Sequence, residues 1–264
     1  MEITFRNSKI NYTVEGKLNH NTVVFLHGFT ESLEIWDEFS AELSLDYKVI
    51  CIDLPGHGRS DCIDNIHTMN LMADCVKEVL NEEKTDNCIV IGHSMGGYVT
   101  LAFAEKYSEF MKGLGLFHSS ALADTPEGKA NRVKTIEVIE NNHNKFIMNF
   151  IPDLFTPSSR TTLKKEIDIL INNAQKMSKQ AIIAALRGMM ERNDMTHVLK
   201  NANYPVLFIA GKQDSRVPFN KILEQIALPK DSFSVLMHDV AHMGYLEASE
   251  KTIYSVKCFI NGIY

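Results

Sequence analysis

The sequence predicts an α/β fold: a mostly parallel sheet covered by helices on both faces. Three observations lead there. Short runs that are apolar throughout recur along the chain, for example TVVFL at Thr22–Leu26 and PVLFI at 205–209. Stretches with helical spacing separate them. A glycine-flanked pentapeptide, Gly92-His93-Ser94-Met95-Gly96, joins one such run directly to one such helix. Strands buried on both faces lose the polar alternation of a half-exposed sheet, and alternation with helices supplies the crossovers that parallel strands need.

The elements follow in order. Two alternating runs, 2–6 and 9–14, flank Asn7-Ser8 and read as a hairpin. Strand 22–26 comes next. Residues 33–45 read as a helix with Trp36, Phe39 and Leu43 on one face. Strand 47–52 runs into Asp53-Leu54-Pro55-Gly56-His57-Gly58, and 69–80 has helical spacing. Strand 87–91 leads through the pentapeptide into helix 98–107. Further strands are expected at 113–117, 205–209 and 233–237, and a closing helix at 247–260. Residues 119–204 contain no convincing strand but three helical stretches, 130–141, 163–172 and 179–191. Such a length is too great for a loop, so it reads as a helical insertion. It divides the core into 1–118 and 205–264.

The 264 residues are 45% hydrophobic and 23% charged, an ordinary globular composition. A net charge of −6 argues against a nucleic-acid or anionic-membrane partner. No uncharged apolar run is long enough to span a bilayer. The N-terminus enters a strand pattern without a signal peptide, and the five cysteines form no C-x-x-C pair. A cytoplasmic protein with reduced thiols is therefore expected. No metal-ligand spacing appears, and neither a metal nor another cofactor is expected.

The pentapeptide fits a nucleophile elbow. Gly92 and Gly96 leave room for strand and helix to approach, and Ser94 projects at a helix N-terminus, where free N–H groups favour negative charge. A serine hydroxyl needs a base to attack. Histidine titrates in the right range. In an open α/β sheet the functional groups gather after the strands' carboxyl ends. His242, in the loop after the last strand, is the first candidate, and His238 the second. His118 ends strand 113–117 but falls on the wrong side in chain order. The orienting acid is expected between serine and histidine: Asp214, after strand 205–209, with Asp124 as the alternative. The oxyanion donors are expected to be the N–H groups of Met95 and Phe29, with Gly28 allowing close approach.

Leu26-His27-Gly28-Phe29, the Asp53-to-Ser60 segment, Gly92-to-Gly97, Gly211-Lys212-Gln213-Asp214 and the His242 loop, in this order, resemble the α/β-hydrolase superfamily. The resemblance covers about residues 2–260 and is to the single-domain serine esterase, lactonase and haloperoxidase-like branch. It implies an eight-stranded sheet with the hairpin at one edge, and a helical cap at 119–204. Ala241, where the family often has glycine, and Ser249, where it often has proline, are departures that touch loop shape. Members with an aspartate nucleophile are excluded by Ser94.

The expected activity is hydrolysis of carboxylic esters with small to medium acyl groups through an acyl-enzyme on Ser94. The partner is then a small-molecule ester. Phe29, Phe150, Leu186 and Met190 are the candidate substrate-binding residues, because an apolar cap would roof an acyl pocket. Two other readings use the same fold. One is a carbon–carbon hydrolase or menaquinone-pathway-type lyase, which would need Arg59, Arg187 or Arg192 for a carboxylated substrate. The other is a small-molecule sensor.

Overall fold

The computed structural model describes residues 1–264. Its centre is a sheet of eight strands: β1 (Glu2–Phe5), β2 (Ser8–Glu15), β3 (Thr22–Leu26), β4 (Lys48–Ile52), β5 (Cys88–His93), β6 (Met111–Phe117), β7 (Val206–Gly211) and β8 (Ser232–Met237). The spatial order is β1-β2-β4-β3-β5-β6-β7-β8. β2 is antiparallel to both its neighbours, and every later pair is parallel. Every residue of β3, β5 and β7 is buried, which accounts for their unbroken apolar sequences.

The hairpin turns one residue earlier than the sequence suggests. Phe5 pairs with Ser8, leaving Arg6 and Asn7 as a two-residue loop, both at positive φ. A right-handed twist between the strands demands that conformation at both loop positions, so Arg6 adopts it beside the more tolerant asparagine.

The helices are α1 (Asp37–Leu43), α2 (Met69–Glu82), α3 (Met95–Lys106), α4 (Pro126–Phe150), α5 (Ser159–Thr162), α6 (Lys164–Ala174), α7 (Lys179–Glu191), α8 (Thr196–Asn201), α9 (Phe219–Ile226), α10 (Gly244–Glu247) and α11 (Ser249–Asn261). The expected helix at 33–45 begins as a 3-10 turn, Leu33–Trp36. Its apolar face holds: Trp36, Phe39 and Leu43 are buried. Trp36 packs on Phe25 of β3 and Phe117 of β6, which ties this helix to the middle of the sheet. The Thr68 hydroxyl caps α2 by accepting the Leu71 N–H. No helix is long and apolar enough to cross a membrane.

Between β6 and β7 the chain forms helices only, α4 to α8. α4 is two helical runs joined at Asn142: the first ends where the sequence suggests, and extended Asn142 caps the second by accepting the Lys145 N–H at 3.0 Å. Backbone contacts seat this segment on the loops after the strands. The His242 N–H donates to Leu154 O at 2.9 Å, and the His67 N–H donates to Ala184 O at 3.0 Å. One carboxylate bridges the two parts again: Glu247 accepts from Thr156 N–H and from Ala241 N–H, each at 2.8 Å.

Candidate active site

β5 ends at His93 and α3 begins at Met95, so Ser94 alone makes the turn. Its φ of 50° and ψ of −112° lie outside the common regions for a residue with a side chain. Such a turn closes only if strand and helix nearly touch. A Cβ on Gly92 would lie 2.2 Å from the Gly96 carbonyl, and one on Gly96 would lie 2.3 Å from Leu26 O. Glycine at both positions lets α3 start against β3 and β5. The Ser94 backbone is pinned from the neighbouring strand: its N–H donates to Phe117 O at 2.9 Å, and the Ser119 hydroxyl donates to its carbonyl at 2.7 Å.

His242 reaches this serine from the loop between β8 and α10. Its Nε2 lies 2.9 Å from Ser94 Oγ, and its Nδ1 lies 2.8 Å from Asp214 Oδ2. A carboxylate only accepts, so Nδ1 carries the proton and Nε2 faces the serine as an acceptor. Asp214 sits just past β7. Its other oxygen accepts the N–H groups of Arg216 and Val217, at 2.8 and 3.0 Å. Burial alone would raise the Asp214 carboxyl, but His242 and hydrogen bonds from His118 and His242 outweigh it and hold the group far below the usual carboxylate range.

The loop after β3 is fixed by two side chains. The Leu54 N–H donates to His27 Nε2 at 3.0 Å, so the ring's proton is on Nδ1, which donates to Gly28 O at 2.8 Å. In a trans peptide the C=O and N–H point opposite ways. Holding the Gly28 oxygen therefore turns the Phe29 N–H away from His27. The Gly28 N–H donates to Glu31 Oε2 at 2.5 Å. Met95 is the first residue of α3, where backbone N–H groups have no partner one turn back.

Glu31 is buried and does more than hold this loop. Its Oε2 also accepts from His93 Nδ1 at 2.9 Å, and its Oε1 from the Tyr245 hydroxyl at 3.1 Å. His93 Nε2 donates to His242 O at 3.0 Å. Both ring nitrogens of His93 face acceptors, so the ring is an imidazolium. Burial pushes the His93 value down, but Glu31 outweighs it and raises it. Burial likewise pushes Glu31 up, and His93 outweighs that and lowers it.

The structure joins Ser94, His242 and Asp214 by hydrogen bonds, with Met95 next to Ser94 in the chain and Phe29 in the loop after β3. His238 is exposed and pairs with the adjacent Asp239. Asp124 is engaged elsewhere, with Arg132 and Arg192 at 2.6 and 2.8 Å. Of the expected substrate contacts, Phe150 meets the Phe29 ring edge-on at 5.7 Å. A cavity of about 210 Å³ lies one turn along α3 from Ser94, lined in part by Met69, Tyr98, Leu101, Ser120 and Met195. Leu186 and Met190 do not line it: Leu186 is buried in the core, and Met190 is half-buried on α7.

Sequence reasoning missed two residues. His118 Nδ1 lies 3.1 Å from the same Asp214 oxygen that His242 uses. Chain order hides this, because β6 and β7 are neighbours in space though residues 118–204 lie between Phe117 and Pro205. Glu31 is the other. Its one visible signal is a carboxylate inside a loop otherwise made of small and apolar residues. His118, Asp214 and His242 also offer three ligand atoms within 4.8 Å of one another, a spacing that could hold a metal ion. Both histidine nitrogens already donate to the shared oxygen there. Of the cysteines, Cys51, Cys75 and Cys88 are buried, while Cys258 is exposed.

Comparison with known proteins agrees with this geometry. The family model described as "alpha/beta hydrolase fold" matches residues 21–164. 3-Oxoadipate enol-lactonase 1 of Acinetobacter baylyi is 25% identical, over 99% of this chain and 97% of that protein. The pimeloyl-[acyl-carrier protein] methyl ester esterase of Neisseria meningitidis is 26% identical, over 91% of this chain and 94% of that protein. The structure of a thermophilic esterase from Thermogutta terrifontis, with malate bound, superposes with a TM-score of 0.92 at 28% identity, covering 100% of this chain and 98% of that one. The family match spans more than half of the chain, and the eight-stranded sheet is that of its relatives: the protein belongs to the alpha/beta hydrolase fold family.

Proposed function

We propose that the protein is a serine hydrolase of carboxylic esters with small to medium acyl groups. One observation carries this: Ser94 Oγ, His242 and Asp214 form a continuous hydrogen-bonded line, with His242 in the tautomer that can take the serine proton. The relatives support the reaction class. An enol-lactonase and a methyl ester esterase, by their names, both cleave an acyl–oxygen bond.

In this mechanism Ser94 Oγ attacks the ester carbonyl carbon while His242 Nε2 takes its proton. Asp214 stabilises the imidazolium that results. The N–H groups of Phe29 and Met95 receive the oxyanion. Collapse of the tetrahedral intermediate breaks the acyl–oxygen bond, and His242 returns the proton to the leaving alkoxide. Water, deprotonated by His242, then attacks the acyl carbon; the acyl–Oγ bond breaks, His242 returns its proton to Ser94 Oγ, and the acid leaves. The helical segment 119–204 acts as a cap, with Phe150 packed edge-on against Phe29 of the oxyanion loop. Of the arginines that a dicarboxylate would need, Arg192 is paired with Asp124 and also donates to Met189 O and Leu122 O.

The test has two parts. A fluorophosphonate should label the protein at Ser94 and not label Ser94→Ala. A panel of nitrophenyl esters from acetate to octanoate should be turned over by the wild type and not by Ser94→Ala. Labelling that survives in Ser94→Ala places the nucleophile elsewhere.

A further inference from the structure

We propose that His118 is a positioning residue of the site: a neutral imidazole that shares one oxygen of Asp214 with His242, and so governs how firmly that carboxylate holds the base. This rests on the reading of Ser94, His242 and Asp214 as the reacting set.

Five observations place His118 there. It follows β6 directly, with φ of 47°, a left-handed conformation unusual for a residue with a side chain. Its backbone N–H is held by Ile209 O of β7 at 2.8 Å. That geometry turns the ring toward Asp214, where Nδ1 donates to Oδ2 at 3.1 Å, beside the 2.8 Å bond from His242. The ring is fully buried, and its Nε2 has no hydrogen-bond partner.

The last observation concerns the loop that carries the base. A Cβ on Gly244 would lie 2.3 Å from His118 Nε2. The chain two residues past His242 is thus laid against the back of this ring, and only glycine fits. His118 therefore touches the acid on one side and the base loop on the other. Its neighbours in the chain do the same for the nucleophile, through Phe117 O and the Ser119 hydroxyl. Three consecutive residues at the end of β6 contact all three members of the set.

The charge state follows from the contacts. Asp214 accepts, so His118 Nδ1 is protonated. A second proton on Nε2 would have no acceptor and would add a charge in a buried place. The ionisable groups around the ring are Asp214, His242 and His93, from β7, the β8–α10 loop and β5. Burial lowers the His118 value and outweighs the pull of Asp214.

The consequence is a division of one acceptor. Two donors compete for Oδ2, so the carboxylate is less available to His242 than if His242 had it alone. Removing His118 should let Asp214 hold the His242 imidazolium more firmly, and should leave the carboxylate freer to turn.

Two measurements test this. With imidazole-labelled wild-type protein, nitrogen NMR should show one histidine, lost in His118→Asn, that keeps the Nδ1–H tautomer and does not titrate from about pH 5 to 9. In steady-state assays, His118→Leu should lower kcat on the order of tenfold with little change in KM. It should also move the acid limb of the kcat/KM profile upward by about half a pH unit. His118→Asn, whose amide can donate from near the Nδ1 position, should return that limb toward the wild type. A His118 signal that is Nε2–H, or a His118→Leu enzyme with the wild-type profile, overturns the proposal. If His118→Leu does not fold, the tautomer in the wild type decides. Fluorophosphonate labelling separates the two readings: Ser94 labelled with an unmoved profile removes only the role of His118, whereas an unlabelled Ser94 removes the triad itself.

Discussion

Glu31 and His93 form a buried ion pair, Oε2 to Nδ1 at 2.9 Å, which ties the loop after β3 to the loop that carries His242. The same Glu31 oxygen accepts the Gly28 N–H, and the far nitrogen of His93 donates to the His242 carbonyl. Neither residue is hydrogen-bonded to Ser94 Oγ, yet both hold the loops on either side of it.

Glu31→Gln should therefore lower both stability and kcat. Breaking a buried pair from one side leaves the other charge alone, a loss of roughly 3–5 kcal/mol. Its pH dependence has a definite sign. Glu31 is lowered from 4.5, so its stabilisation is present above that value and lost as pH falls through the lower folded value. His93 is raised from 6.5, so its stabilisation is full below 6.5 and lost as pH rises through the raised folded value. The gap in melting temperature between wild type and Glu31→Gln should be wide near about pH 6 and narrower near about pH 10. An equal gap at both would show that the pair is not charged.

Asp214→Asn and Asp124→Asn should behave oppositely. The first leaves His242 without an acceptor for Nδ1–H, and kcat should fall roughly a thousandfold or more while the fold persists. The second takes the partner from Arg192, whose side chain is only 8% exposed. It should lower stability by about 1–3 kcal/mol and leave kcat within about twofold. Single-turnover rates and thermal midpoints of the two variants decide, and the reverse ordering would transfer the acid's role to Asp124.

Phe150→Ala should act on binding. Phe150 stacks on Phe146 at 5.1 Å, meets the Phe29 ring edge-on, and lies under the Arg216 guanidinium at 5.0 Å. It joins α4 to the loop after β3 and to the loop of Asp214. Loss of one such aromatic pair is worth about 1 kcal/mol, so KM should rise about fivefold, with a smaller change in kcat. An unchanged KM across the ester panel would take Phe150 out of the binding surface.

The sheet and the candidate line Ser94, His242, Asp214 are legible in the sequence. Apolar runs mark strands because a strand covered on both faces has no polar side to show. The glycines at 92 and 96 mark the elbow because the chain cannot turn there with side chains in the way. Ser94, Asp214 and His242 are legible because each follows its own strand, and chain order alone sets them in sequence. The tertiary structure decided what holds them. His118 shares Asp214 because β6 lies beside β7, although nearly the whole helical segment separates them in the chain. Glu31 finds His93 because β3 lies beside β5. Leu186 and Met190 lie on α7, and which face of that helix meets a pocket depends on how the helix is seated. Local spacing carries turns, caps and motifs; partners across strands are set by packing, which no single stretch of the chain contains.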